Sequence, residues 1–147
     1  MKEIIGNIWV QAKYPAYIVI PTNGVVKHNG ECVMGRGLAY QAKIKYPDLP
    51  KELGGYIKDH GNIVFVFCEY NLLTFPVKHM YNQKADISLI NESAKQLREI
   101  LLDKFWLSPV YIPHVGCGNG GLLWSDVKPI IEQYFGDLEN IIICDSG

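Results

Sequence analysis

What this sequence lacks narrows its function first. Charge of either sign is not in excess: 14 Lys and Arg stand against 15 Asp and Glu, for a net charge of −1. That balance argues against a large electrostatic footprint on nucleic acid or on an anionic membrane. No apolar run is long enough to span a bilayer, and no N-terminal stretch has the basic-then-apolar form of a signal peptide. The four cysteines, Cys32, Cys68, Cys117 and Cys144, are far apart and form no Cys-x-x-Cys pair. A zinc site or a disulfide framework normally needs closer, regular spacing. The expectation is free thiols in a reducing cytoplasm. The four histidines are equally scattered, and no magnesium-type carboxylate cluster stands out, so neither a metal nor a cofactor is expected. There is no Gly-x-Ser-x-Gly elbow and no plausible Cys–His nucleophile pair. Repeats, low-complexity tracts and linkers are absent too, and 147 residues suit one domain with its own core.

What is present alternates strand and helix. Lys2–Ile8 and Tyr17–Pro21 read as short strands, the second apolar throughout like a buried central strand. Gly37–Tyr46 reads as a helix stopped by Pro47, and Asp48–His60 as a second helix ended by Gly61. Asn62–Cys68 (NIVFVFC) is the clearest strand by pattern, followed after a turn by Leu72–Val77. The longest helix is expected over Asp86–Phe105, with Ile90, Ala94, Leu97 and Leu101 on one face of a 3.6-residue period. A strand at Pro109–Pro113 leads into a glycine loop. A last helix is expected to be capped by Asp126, because Pro129 then falls in its first turn, and Glu139–Cys144 closes as a strand. Apolar strands separated by helices imply a mostly parallel or mixed sheet covered on both faces.

In such folds ligands bind beyond the carboxyl ends of the strands, and two loops with that position are rich in glycine. The first is TNGVVKHNGECVMGRG, Thr22 to Gly37. Gly35 and Gly37 bracket Arg36 where a helix begins, and amides at a helix N-terminus suit phosphate. A single Gly-x-Gly reads more readily as a plain strand-to-helix turn. The second loop is HVGCGNGGLLW, His114 to Trp124. It is neither a Walker loop nor the dinucleotide fingerprint, but a strand, GCGNGG and a helix start have the layout of an anion-binding nest. A diphosphate held between the two loops by backbone amides accounts for both. Between them lies FPVKHMYNQK, Phe75 to Lys84. Partial desolvation of Lys78 at a strand end favours a neutral amine, although position alone does not distinguish it from a solvated lysine. His79 is a candidate acid or base. His28, His60 and His114 read as structural or surface groups. Cys117 reads as a small residue filling a tight turn.

Gly6-Asn7-Ile8, NGECVMGRG, FPVKH and GCGNGGLLW, in this order and spacing, resemble the macrodomain family of ADP-ribose-binding modules. The likeness covers nearly the whole chain, residues 1–147, as one domain. It is nearest to the branch that holds the terminal ADP-ribose protein glycohydrolase and the antitoxin that removes ADP-ribose from thymidine in DNA. The resemblance implies a three-layer α/β/α sandwich around a six-stranded mixed sheet, with ADP-ribose across the strand ends. By position it implies Asn7 and Ile8 at the adenine. Val33, Met34, Gly35 and Gly37 would lie along the first diphosphate loop. Gly116, Cys117, Gly118, Asn119, Gly120 and Gly121 would form the second, and Asn29 would approach the distal ribose. Lys78 matches the lysine held to act at the anomeric carbon of that ribose. Two family carboxylates are replaced here: the aspartate common at the position of Asn7, and the protein glycohydrolase's second-loop aspartate at the position of Gly120.

The expected function is therefore a metal-independent ADP-ribosyl hydrolase that acts as a monomer on an ADP-ribosylated macromolecule, DNA or protein. The alternatives are a reader of ADP-ribose without turnover and an ADP-ribose 1''-phosphate phosphatase. Lys27, Lys78, His79 and Lys84 could form a modest basic rim for a nucleic-acid acceptor.

Overall fold

A computed structural model describes every residue from Met1 to Gly147. Six strands form one sheet in the order β1-β6-β5-β2-β4-β3. They are β1 (Lys2–Ile5), β2 (Tyr17–Thr22), β3 (Phe65–Phe67), β4 (Leu72–Pro76), β5 (Val110–Ile112) and β6 (Ile141–Asp145). All neighbours are parallel except the edge pair β3–β4, so the sheet is mixed as expected. The central strands β2 and β4 are almost wholly buried, which is why their sequences read as unbroken apolar runs rather than alternating ones.

The helices cover both faces. One face carries α4 (Ile87–Asp103) and α5 (Trp124–Phe135), the other α1 (Ile8–Gln11), α2 (Gly37–Lys45) and α3 (Leu49–His60). The core divides accordingly into two apolar clusters. The larger packs Ile90, Ala94, Leu97 and Leu101 of α4 with Val127, Ile131 and Phe135 of α5 against Leu73, Phe75, Ile112 and Ile143. The smaller packs Ala42, Leu49 and Leu53 against Ile18, Ile20 and Leu72. The helical stripe of α4 is thus the buried face that its spacing predicts, and truncating a fully buried leucine there should cost about 2–5 kcal/mol. No helix is long and apolar enough to cross a membrane.

Three local expectations are corrected. The first strand ends at Ile5, because Asn7 caps α1 by accepting the Trp9 N–H through Oδ1 at 2.9 Å. NIVFVFC contributes only Phe65–Phe67 to the sheet, since it is an edge whose neighbouring backbone is held by side chains: Val64 N–H donates to Gln96 Oε1 and Phe65 N–H to Thr74 Oγ1. The last helix begins at Trp124 with Leu123 at the cap and no side-chain cap bond, so Asp126 sits inside the first turn. There its carboxylate still favours the helix N-terminus electrostatically. Asp86, by contrast, caps α4 through bonds from Ser88 N–H and Leu89 N–H.

Candidate functional site

The parallel strands end on one side of the sheet, and their exits open into a cleft of about 850 Å³. Each exit contributes: Gly6–Ile8 after β1, Asn23 after β2, Lys78 after β4, His114 and Gly116 to Gly120 after β5, and Asp145 at the end of β6. Val33, Met34, Gly35, Arg36 and Gly37 bring the first glycine loop along the opposite wall. The sequence signals at the strand ends converge because five neighbouring strands run the same way.

The second glycine loop is shaped by its own hydrogen bonds. Leu122 N–H donates to Gly116 carbonyl at 2.9 Å and Gly121 N–H to Gly118 carbonyl at 3.1 Å, while Gly120 carbonyl accepts from Ala85 N–H at 2.8 Å. The amides of Gly118, Asn119 and Gly120 donate to no group of the chain, nor do those of Gly35, Gly37 and Leu38 across the cleft. Gly37 and Leu38 open α2, whose N-terminal amides have no intrahelical acceptor. Two sets of free amides facing one space, one at the start of a nine-residue helix, form a receptor for oxyanions. Arg36 also lines the cleft and adds positive charge beside Lys78, a contribution the reading of the sequence passed over. The Asn119 side chain reaches over to Gly37, where a Cβ would lie 3.2 Å from its amide nitrogen.

Lys78 stands where β4 leaves the sheet. Its backbone is braced on both sides: Val77 N–H donates to Thr22 carbonyl, Asp86 N–H to Val77 carbonyl, and Asn62 Nδ2 to Lys78 carbonyl at 3.0 Å. Its ammonium donates weakly to the carbonyls of Asn119 at 3.3 Å and Tyr81 at 3.4 Å. No carboxylate pairs with it. Burial pushes its pKa down, and the nearby Arg36 guanidinium pushes it the same way. Both effects favour the neutral amine. Cys117 is half-buried, and burial raises its thiol pKa, so it stays protonated and fills the turn.

Most of the residues singled out in the sequence meet here: Asn7, Ile8, Val33, Met34, Gly35, Gly37, Lys78, Gly116, Cys117, Gly118, Asn119 and Gly120 all line the cleft. Asn29, Gly121 and His79 do not. His79 is exposed outside the lining, its Nδ1 3.3 Å from Asn62 Nδ2. Asn29 sits at the exposed tip of a short hairpin closed by the Val26–Cys32 bridge, with its side chain bonded to Glu31. The hairpin carries it away from the strand ends. Asn23 lines the cleft instead, and both ends of its amide hold the first loop in place, with Nδ2 donating to Val33 carbonyl at 2.8 Å and Oδ1 accepting from Val25 N–H at 2.9 Å. Its place, one residue beyond an apolar strand, was a signal in the sequence. Gly121 faces outward against the Lys84 stem; its positive φ of 76° turns the chain out of the loop. Asn62 and Asp145 had no local motif to mark them.

No protein-family model matches the chain. Curated relatives include the DNA ADP-ribosyl glycohydrolase of Thermus aquaticus, 28% identical over 121 residues, covering 74% of this chain and 32% of that protein. The enzyme of the same name from Mycobacterium tuberculosis is 25% identical over 121 residues, covering 74% of this chain and 33% of that protein. The chain therefore spans about a third of the length of the curated relatives it matches. Among solved structures, the macrodomain of Thermus aquaticus DarG superposes with a TM-score of 0.77 at 25% identity, over 100% of this chain and 98% of that one. Thermosipho africanus DarTG in complex with ADP-ribose superposes with a TM-score of 0.80 at 22% identity, over 98% of this chain and 41% of that one.

Proposed function

Because this chain is a macrodomain, of the branch that includes the DarG macrodomains, we propose that it binds ADP-ribose and hydrolyses the bond joining the distal ribose to a modified acceptor. The observation that carries the reading is Lys78: an amine without a carboxylate partner, shifted toward its neutral form, at one end of a cleft built to hold a diphosphate. The free amides and Arg36 neutralise the diphosphate, and this rigid grip converts binding energy into orientation of the ribose. The Lys78 Nζ lone pair attacks the anomeric carbon. The bond to the acceptor breaks, and its electron pair leaves with the acceptor, which takes up a proton. Water then attacks the same carbon, releasing ADP-ribose and restoring the amine. The carbonyls of Asn119 and Tyr81 hold the amine in line.

The acceptor in this reading is DNA. The names of the curated relatives support it, as do Arg36 and Lys78, two neighbouring cations in the cleft lining with no salt-bridge partner. The reaction as proposed routes no step through a metal, because the free amides and Arg36 are assigned the neutralisation of the diphosphate. In this reading the protein works as a monomer, in the cytoplasm.

The test is to incubate the protein with ADP-ribosylated single-stranded DNA and ADP-ribosylated protein side by side, with and without a chelator, and to measure released ADP-ribose. Release from DNA, unaffected by chelation, is expected. Release from protein alone would reassign the acceptor, and loss of activity on chelation restored by a divalent ion would overturn the metal-free step. Tight ADP-ribose binding without any release would make the protein a reader.

A further inference from the structure

Among the side chains lining the cleft, only that of Asp145 is a carboxylate, although the ligand assigned to the cleft carries a diphosphate. A like charge near a bound anion opposes binding, so this carboxylate calls for a donor of its own. It could serve as an acid or base at the reacting carbon, or as an acceptor for a neutral donor elsewhere on the ligand. The topology decides between these. Asp145 ends β6 and Lys78 follows β4, with β5 and β2 between them. Three strand spacings separate the two by about 14 Å, whereas proton transfer needs an approach of roughly 3 Å.

Asp145 lies instead beside β1. It pairs in register with Ile5, and its carbonyl accepts from Gly6 N–H at 2.8 Å. This is the corner of Asn7 and Ile8, at the far end of the cleft from Lys78. With the distal ribose at Lys78 and the diphosphate along the glycine loops, the adenosine half of the ligand falls here. Asn7 has its acceptor engaged, because Oδ1 takes the Trp9 N–H, leaving only the amide donor free. Asp145 Oδ1 accepts from Gly147 N–H at 3.2 Å and lies 4.0 Å from His114 Nδ1, while Oδ2 has no partner in the chain. The side chain is 44% exposed, open to the cleft and braced on one oxygen.

Resting on the ADP-ribose reading above, we propose that the Asp145 carboxylate accepts a hydrogen bond from the exocyclic amino group of the adenine, and so determines the choice of base. A 6-oxopurine presents a carbonyl oxygen at the same place, setting two acceptors face to face. The carboxylate absent from the β1 exit is supplied by the neighbouring strand.

Calorimetry on ADP-ribose and inosine diphosphate ribose, with the wild type, Asp145→Asn and Asp145→Ala, tests this. The wild type should favour ADP-ribose by about tenfold or more, the range of a hydrogen bond to a charged group. Asp145→Asn, whose amide can turn its NH2 toward a carbonyl, should lose or reverse the preference, and Asp145→Ala should reduce it. The change at ring nitrogen N1 of hypoxanthine persists in all three proteins, so the difference between variants isolates the amino contact. Equal affinities in the wild type, or an unchanged preference in Asp145→Asn, would overturn the assignment of Asp145 alone. A wild type that binds neither compound would overturn the ADP-ribose reading and this inference with it.

Discussion

Gly118 and Gly120 are two residues apart on one loop, yet the space around them is opposite. A Cβ on Gly120 would lie 2.8 Å from Ala85 Cβ and collide with the Gly116 carbonyl, and one on Gly116 would lie 2.7 Å from Ile90 Cδ1. Those two glycines let the loop press onto the start of α4, and both are buried. A Cβ on Gly118 would meet nothing within 4 Å, and the same holds for Gly35 across the cleft. Neither of these has a positive φ, so neither needs to be glycine for its backbone or for packing within the chain. Both are exposed and line the cleft. A glycine that the fold does not need, beside an unpaired amide, leaves room for a ligand to reach the backbone. One motif therefore contains two kinds of glycine, and only the structure separates them.

The largest expected effect lies at the end of the space that these glycines leave open. Lys78→Ala should reduce turnover roughly a thousandfold, about 4 kcal/mol of transition-state stabilisation. ADP-ribose affinity should change little, because the adenine and diphosphate are held elsewhere. Single-turnover kinetics alongside calorimetry would check both. Lys78→Arg should not restore activity, since a guanidinium stays protonated; partial rescue would make the role of Lys78 electrostatic. Gly118→Glu comes next, projecting a carboxylate where the diphosphate lies. It should weaken ADP-ribose binding by at least about a hundredfold, while thermal unfolding shifts by no more than about 0.5 kcal/mol. Intact affinity in that variant would mean the open space is not the phosphate site.

Gly120→Ala should do the reverse. Overpacking against Ala85 and the Gly116 carbonyl should cost about 2 kcal/mol, seen as a fall in melting temperature of roughly 6 °C. If Gly118 and Gly120 variants lost stability alike, the distinction between them would fail. The smallest effect concerns pH. A lowered Lys78 pKa means that activity rises as the amine deprotonates and levels off below the pH that an ordinary lysine would require. Arg36→Gln removes the lesser of the two causes, so the Lys78 pKa should move up and the rising limb of the pH–rate profile should shift modestly to higher pH. A shift to lower pH would exclude Arg36 as a source of that perturbation.

Legibility in the sequence followed the range of the interactions concerned. Where neighbours in the chain decide the outcome, the reading was close: the α4 stripe, Gly61 ending α3, both glycine loops and Lys78 at a strand exit. Expectation and structure part where a distant side chain intervenes. NIVFVFC is the clearest strand by pattern, but Gln96 and Thr74 take two of its amides at the sheet edge and only Phe65–Phe67 joins the sheet. Asn29 lies within a motif and Asn23 just outside it, yet a hairpin turns the first away and the exit of β2 delivers the second. The bracing of Lys78 by Asn62, 16 residues earlier, has no local signature.

By itself the sequence determined the order of strands and helices, the two loops in which side-chain bulk is given up, and the position of a lysine at a strand exit. These follow from periodicity, turn chemistry and the needs of backbone amides, all of which act within a few residues. Only the tertiary structure decided which glycines face open space, which asparagine reaches the cleft, and that the carboxylate of Asp145 stands at the end of β6 beside the exit of β1. Parallel strands place residues remote in sequence about 5 Å apart at their ends. The register and order of a sheet, which no local pattern encodes, therefore choose which of them share a site.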